Sequence, residues 1–343
     1  MKYLNCFLTI LIMSVATSRG DQVEIQLESN PAYPRLPFID VRFVHLYDRT
    51  QATSRMLFHT NEFYMVHPGL DGEEDSVPVG FNSEGTPVMQ SSAAAPFVVR
   101  DNFVGVRSRQ TPLYYGAKKS AGFAAEVGSF LLTPSGEDMK LIVRPDSPQE
   151  FCNEGSGPMV YVPTTANRSA WNVLGLIRPL SAHQMTTSGN LTTLGVDSLE
   201  NRPTESIIPY SISSGDIGDK IPYETFLIIR EMISATGAVI ESPEIVSNGI
   251  HISNCSIHID AFPSIQYSLY ARRDIRITKT VDIVLMPREY ITINGVDDTC
   301  IAHISAATDP ESSAFGMNIL RSATVHFDRE NNRVGLCDFR DDI

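Results

Sequence analysis

The chain has 343 residues, 42% of them hydrophobic and 20% charged, which is enough for one large domain or two ordinary ones and excludes bulk disorder. Its net charge of -13 disfavours nucleic acid and anionic membranes as partners.

In chain order, residues 1–20 come first. Lys2 precedes an apolar run from Leu4 to Val15, followed by small and polar residues to Gly20. The run is too short to span a bilayer and has the layout of a secretory signal. The sequence therefore predicts a chain that is secreted or held in the secretory-pathway lumen. No later stretch is long and apolar enough for a membrane span. Short apolar segments then alternate with turn residues: Phe38–Val44, Arg55–Val66, Phe97–Val106, Gly122–Leu132, Lys140–Val143, Met159–Val162, Ile265–Leu269, Val281–Met286 and Ala323–Phe327. Proline and glycine, 21 and 22 copies, punctuate them, which is an all-β pattern. One helix interrupts it. Asp219 is placed to cap this helix, Pro222 sits in its first turn, and Phe226, Ile229 and Ile233 share one face before Gly237 and Ala238 end it. No short-period repeat occurs, which excludes solenoids and propellers.

Five cysteines are present. Cys6 lies within residues 1–20, leaving Cys152, Cys255, Cys300 and Cys337 with three possible pairings. Asn167-Arg-Ser, Asn190-Leu-Thr and Asn254-Cys-Ser are N-glycosylation acceptors in a secretory compartment. His45, His67, His183, His251 and His258 show no metal-ligand spacing, and no nucleotide fingerprint occurs, so neither a metal nor a cofactor is expected.

Near the C-terminus, Phe315-Gly316-Met317-Asn318-Ile319-Leu320-Arg321 leads into Val325-His326-Phe327-Asp328 and Val334-Gly335-Leu336. This resembles the end of pepsin-like (family A1) aspartic proteases, where a Gly-Asp-x-Phe-Leu-Arg turn precedes a strand, a Phe-Asp turn and Val-Gly-hydrophobic. Other pieces follow that family in order. Phe38–Phe43 resembles the first strand, and Met56–Pro68 the first catalytic loop and its exit strand. Leu113–Gly122 is similar to the flap hairpin, with Tyr115 as its tyrosine. Trp171–Pro179 is similar to the segment that braces the first loop, and Ser188–Asp197 to the end of the first lobe. The resemblance implies an all-β, bilobal acid-protease fold with a few short helices, an N-terminal lobe over 21–202 and a C-terminal lobe over 203–343. It also implies a Cys255–Cys300 disulfide, which leaves Cys152 with Cys337.

The catalytic tripeptides depart from the family. His59 stands where the first loop has aspartate, Thr60 is retained, and Asn61 replaces glycine. Counted back from Pro222, Ser213-Ser214-Gly215 fills the second register, with Ser213 for aspartate. Asp216 offers the alternative, as part of the chain's single Asp-x-Gly. Met317 also replaces an aspartate of the resembled turn. Pro209 and Pro222 lie closer together than in the family, so the second lobe is expected to be truncated, lacking a strand and much of its loop; a missing exon would leave the same gap. The stretch from Gly20 to Phe38 is acidic and leaves little room for a basic prosegment.

The family's chemistry needs two carboxylates that share one proton, one acting as base toward water and the other as acid toward the carbonyl. His59 and Ser213 cannot form that pair. A Ser213–His59 nucleophile would need an orienting acid and an oxyanion hole, which the sequence does not define. The expected protein is therefore a secreted, monomeric homologue lacking both catalytic aspartates, whose interlobe cleft binds a peptide or protein, with Thr60 and Tyr115 at cleft and flap. The alternative is an active aspartic endopeptidase with a divergent or incompletely predicted loop. A third reading is an inhibitor of another enzyme.

Overall fold

The computed structural model describes residues 22–30, 33–45, 51–61, 76–81, 87–91, 103–106, 109–112, 114–119, 124, 127–136, 138–152, 158–165, 170–180, 207–241, 249–270, 280–294 and 297–338. Residues 1–20, 62–68 and 188–197, and the acceptors Asn167 and Asn190, lie outside them. The fold is all-β and bilobal with a few short helices, as the sequence predicts.

The first part of the chain forms β1 (Val23–Asn30), β2 (Tyr33–His45), β3 (Gln51–His59), β4 (Ser76–Phe81), β5 (Pro87–Ser91), β6 (Phe103–Val106), β7 (Arg109–Pro112), β8 (Tyr114–Gly116), β9 (Ser129–Ser135), β10 (Asp138–Val143) and β11 (Val160–Pro163). Next come β12 (Asn172–Leu180), β13 (Ile208–Ile212), β14 (Asp219–Ile221), the helix Tyr223–Ala235, β15 (Val239–Ile240), β16 (Ile250–Ser253), β17 (Ser264–Tyr270) and β18 (Thr280–Leu285). The chain closes with β19 (Ile291–Asn294), β20 (Thr299–Ala302), β21 (Ile304–Ala306), β22 (Ala314–Phe315), β23 (Ala323–Asp328) and β24 (Arg333–Asp338).

An 11-stranded sheet runs β11-β24-β23-β9-β10-β1-β2-β3-β8, with β4 and β5 attached at β2. The C-terminal strands thus return to the sheet of the first lobe, where Phe327 of β23 pairs with Phe130 of β9. Cys152–Cys337 fastens this return across 185 residues of sequence. A 7-stranded sheet, β18-β17-β12-β13-β22-β14-β21, and a 4-stranded sheet, β15-β16-β20-β19, make the second lobe. Cys255–Cys300 joins the turn after β16 to β20.

Two aromatic clusters form the floor on which the site rests. In the first lobe Phe130 stacks on Phe327 at 4.6 Å, while Phe58 and Trp171 meet Phe130 edge-on at 5.8 and 5.9 Å. In the second lobe Phe315 stacks on Tyr210 at 4.4 Å and meets Tyr267 edge-on at 5.3 Å. Such pairs add about 0.5–1.5 kcal/mol each beyond the apolar area they bury.

Three expectations change. Trp171–Pro179 does not brace the first loop. It forms most of β12, which pairs with β13 through Asn172–Gly175 and with β17 through Gly175–Leu180. Backbone pairing of this kind groups β12 with the second lobe's sheet, ahead of residue 202. β12 is thus a strand of the second lobe that lies well ahead of the Pro209–Pro222 stretch. Finally, Asp219 does not cap the helix. Pro222 is the N-cap, and Asp219 is a buried residue of β14. Phe226, Ile229 and Ile233 do form the buried face of the helix.

Candidate functional site

Two loops face each other, each held by the same construction. In the first, β3 delivers Phe58 and His59, and β8 runs parallel beside it, pairing Phe58 with Tyr115 and His59 with Gly116. The Ala117 N–H donates to the His59 carbonyl at 2.8 Å. In the second, β13 delivers Ile212 to Ser213, and β22 runs parallel beside it, pairing Ile212 with Phe315. The Ser213 N–H donates to the Phe315 carbonyl at 2.8 Å.

This geometry corrects the flap assignment. Strands in parallel register cannot come from one tight hairpin, because a parallel pair needs a long crossover connection. Within the segment expected to form the flap, Tyr114–Gly116 instead lies parallel beside β3 and braces the first loop, and Tyr115 lies in it.

The loops are bonded to each other reciprocally. The Thr60 N–H donates to Ser214 Oγ at 3.0 Å, and the Ser214 N–H donates to Thr60 Oγ1 at 3.1 Å. The Thr60 hydroxyl donates to the Ile212 carbonyl at 2.7 Å, and the Ser214 hydroxyl to the Phe58 carbonyl at 2.5 Å. Thr60 and Ser214 are both fully buried. Thr60, expected to line the cleft, is a framework residue with no surface to offer a ligand. The same network settles the register: Ser213-Ser214-Gly215 is the counterpart of His59-Thr60-Asn61.

Neither counterpart position carries a carboxylate. His59 is half-buried, and its Nδ1 accepts the Asn61 N–H at 3.3 Å. That bond requires the tautomer protonated on Nε2. The ring lies against the second loop: a Cβ at Gly215 would fall 2.0 Å from both Nε2 and Cδ2. Only glycine admits this contact. Asn61 does not disrupt the loop, since its Nδ2 donates across to the Ile212 carbonyl at 2.9 Å. Ser213 is 2% exposed. Asp216 points elsewhere, into an ion pair with Lys220 Nζ at 2.5 Å. Beside it opens a cavity of about 290 Å³ lined by Gly215, Gly218, Lys220, Gly249, His303 and Ser305 among others. Among the described residues no cluster of His, Cys, Asp and Glu could hold a metal ion.

Beneath the second loop lies a polar cluster that sequence reading missed. The buried carboxylate of Asp219 accepts the Gly316 N–H at 2.7 Å, Asn318 Nδ2 at 3.0 Å and the Tyr267 hydroxyl. Burial raises its pKa from the ordinary carboxylate value, against the pull of those donors and of Arg35. Arg35 of β2 reaches the second lobe by donating to the Glu289 carbonyl at 3.0 Å. Burial and neighbouring Arg321 lower its pKa to about 10, opposed by Asp219. Burial, with Arg35, His251 and Arg321, lowers the pKa of His303 to about 3. The only signal in the sequence was polar residues at strand positions where apolar ones are usual.

Two parallel-braced loops, interlocked at the junction of two β lobes, define a pepsin-like aspartic protease scaffold. Residues 215–339 match the family model of the eukaryotic aspartyl protease. Among solved structures, the aspartic proteinase from Irpex lacteus superposes with a TM-score of 0.54 at 13% identity, covering 93% of this chain and 97% of that one. Basic 7S globulin from soybean superposes with a TM-score of 0.57 at 11% identity, covering 92% and 96%. No curated protein matches. The C-terminal motif lies within the matched residues, and the fold of the chain is pepsin-like, with His59 and Ser213 set into its pair of interlocked loops.

Proposed function

We propose that this chain is a secreted, non-catalytic member of the pepsin-like group that binds a peptide or protein segment between its lobes. One observation carries the reading. The bonds that hold the two loops together are intact at Thr60 and Ser214, while the positions that would perform hydrolysis hold a histidine seated on Gly215 and a buried serine. A shared-proton carboxylate pair cannot be assembled from these side chains. Asp216 does not restore one, because its carboxylate is tied to Lys220. The cavity beside Gly215, lined by both polar and apolar residues of the second lobe, is a recess into which such a segment could reach. The signal-like residues 1–20 and the two disulfides support an oxidising, extracytoplasmic setting. We further propose that the protein acts as a monomer and that Asn167, Asn190 and Asn254 are glycosylated.

The test is incubation of the purified protein with denatured protein substrates from pH 2 to 7, alongside capture of peptides from a random library. Enrichment of peptides without cleavage is expected. Cleavage at acid pH that a pepstatin-type inhibitor blocks would overturn the proposal and reinstate the endopeptidase reading.

A further inference from the structure

Asn254 is exposed, and it stands at φ 53°, in the left-handed region that non-glycine residues rarely adopt. The residue inside its acceptor tripeptide, Cys255, is fully buried and bonded to Cys300. The third residue, Ser256, is held as well. Its N–H donates to Asp298 Oδ1 at 3.0 Å, and its hydroxyl also bonds that carboxylate. The Cys255 N–H donates to the Asp298 carbonyl at 3.2 Å. The folded chain therefore fixes all three residues of the tripeptide. A glycan transferase needs the opposite: an extended Asn-x-Ser segment whose serine hydroxyl is free to be recognised.

We propose that glycosylation of Asn254 and closure of Cys255–Cys300 compete in time, so that Asn254 is modified only on chains whose disulfide has not yet formed. This rests on the secretory reading given above. In one reaction the Asn254 amide nitrogen bonds to the anomeric carbon of a lipid-pyrophosphate-linked oligosaccharide; the lipid pyrophosphate leaves, and the amide proton passes to a base of the transferase. In the other, the thiols of Cys255 and Cys300 lose two protons and pass two electrons to a thiol oxidant of the same compartment.

The timescales make the competition real. Cys300 follows Cys255 by 45 residues, which at a synthesis rate of about 5–20 residues per second is a delay of roughly 2–9 s. Disulfide formation takes seconds or longer, the same range. Once attached, the sugar has room, because Asn254 faces solvent. It would also sit beside exposed apolar surface: Ile257 is 75% exposed, and Val239, paired with Ser253, is 54% exposed.

The full chain is expressed through a secretory pathway, and the fraction of Asn254 carrying sugar is measured by peptide mass. Partial occupancy is expected in the unaltered chain. Cys300→Ala should raise it about two-fold or more by removing the competing reaction. Cys337→Ala, which breaks the other disulfide, should leave it unchanged. Equal occupancy in the unaltered chain and Cys300→Ala, full occupancy in the unaltered chain, or an equal rise in Cys337→Ala would each overturn the inference. So would a bare Asn254 in every variant when Asn167 or Asn190 carries sugar. A chain that retains residues 1–20 and carries no sugar at any of the three acceptors sinks the secretory reading, and this inference with it.

Discussion

Thr60 and Ser214, 154 residues apart in sequence, each donate a backbone N–H to the other's hydroxyl oxygen, at 3.0 and 3.1 Å. Each hydroxyl then donates to the strand that precedes the other residue. Four buried hydrogen bonds thus fix the distance between the two loops, whatever side chains occupy positions 59 and 213.

Thr60→Val keeps shape and removes the hydroxyl. It leaves the Ser214 N–H without a partner and the Ile212 carbonyl with Asn61 Nδ2 in place of two donors, at a cost of about 1–3 kcal/mol. Thr60→Ser should recover most of that. Urea unfolding curves of the two variants make the comparison, and equal loss in both would contradict the role given to the hydroxyl.

Gly215→Ala places a methyl group 2.0 Å from the His59 ring. The expected loss is about 1–3 kcal/mol of stability, typical of an overpacked site. His59→Ala in the same chain should remove most of it. A double-mutant cycle reads the coupling, and additive effects would mean that the ring and the loop are not in contact.

Asp219→Ala leaves the Gly316 N–H, the Asn318 amide and the Tyr267 hydroxyl without their acceptor. The expected cost is about 3–5 kcal/mol. The pH dependence has a definite sign. The folded-state pKa of Asp219 is raised, so its contribution is greatest below the ordinary carboxylate range and declines as pH rises through the folded value. Asp219→Asn should abolish that slope, measured as unfolding free energy against pH.

His326 works in the opposite direction. Burial, opposed by Asp328 and assisted by Arg333, lowers its pKa from 6.5 to about 4. A depressed pKa means stability that is present above 6.5 and lost as pH falls toward 4. The loss is on the order of 2–3 kcal/mol. His326→Gln should shrink the drop across that window in acid titrations followed by circular dichroism. An unchanged profile would remove His326 from the account.

Because the loop framework is intact, carboxylates at the two facing positions should meet. His59→Asp with Ser213→Asp and Asn61→Gly is expected to show acid-dependent cleavage of denatured protein, blocked by a pepstatin-type inhibitor. His59→Asp alone should show none, since one carboxylate cannot share a proton. Inactivity of a folded triple variant would mean that the loops differ from those of an active protease in more than side chains.

Much of the scaffold was legible in local pattern. The buried face Phe226, Ile229 and Ile233 and the Val-Gly-Leu ending were legible because helix periodicity and motif order are carried by neighbouring residues, while the cysteine pairing followed from the family resemblance. What failed was the assignment of similar short strands to partners. Leu113–Gly122 and Trp171–Pro179 are both apolar stretches containing a glycine, and nothing local says which one lies beside β3. That choice depends on backbone pairing across long separations, which no short window encodes.

The sequence by itself determined that the chain is all-β and pepsin-like, and that positions 59 and 213 hold histidine and serine. Only the tertiary structure decided that Ser213 rather than Asp216 is the counterpart of His59, because the choice rests on where the Thr60 and Ser214 hydroxyls find acceptors. It alone showed that Thr60 is framework, that Tyr115 belongs to a brace, and that Asp219 is sealed under the second loop. Each of these depends on which distant groups share a buried space, where every donor must meet an acceptor.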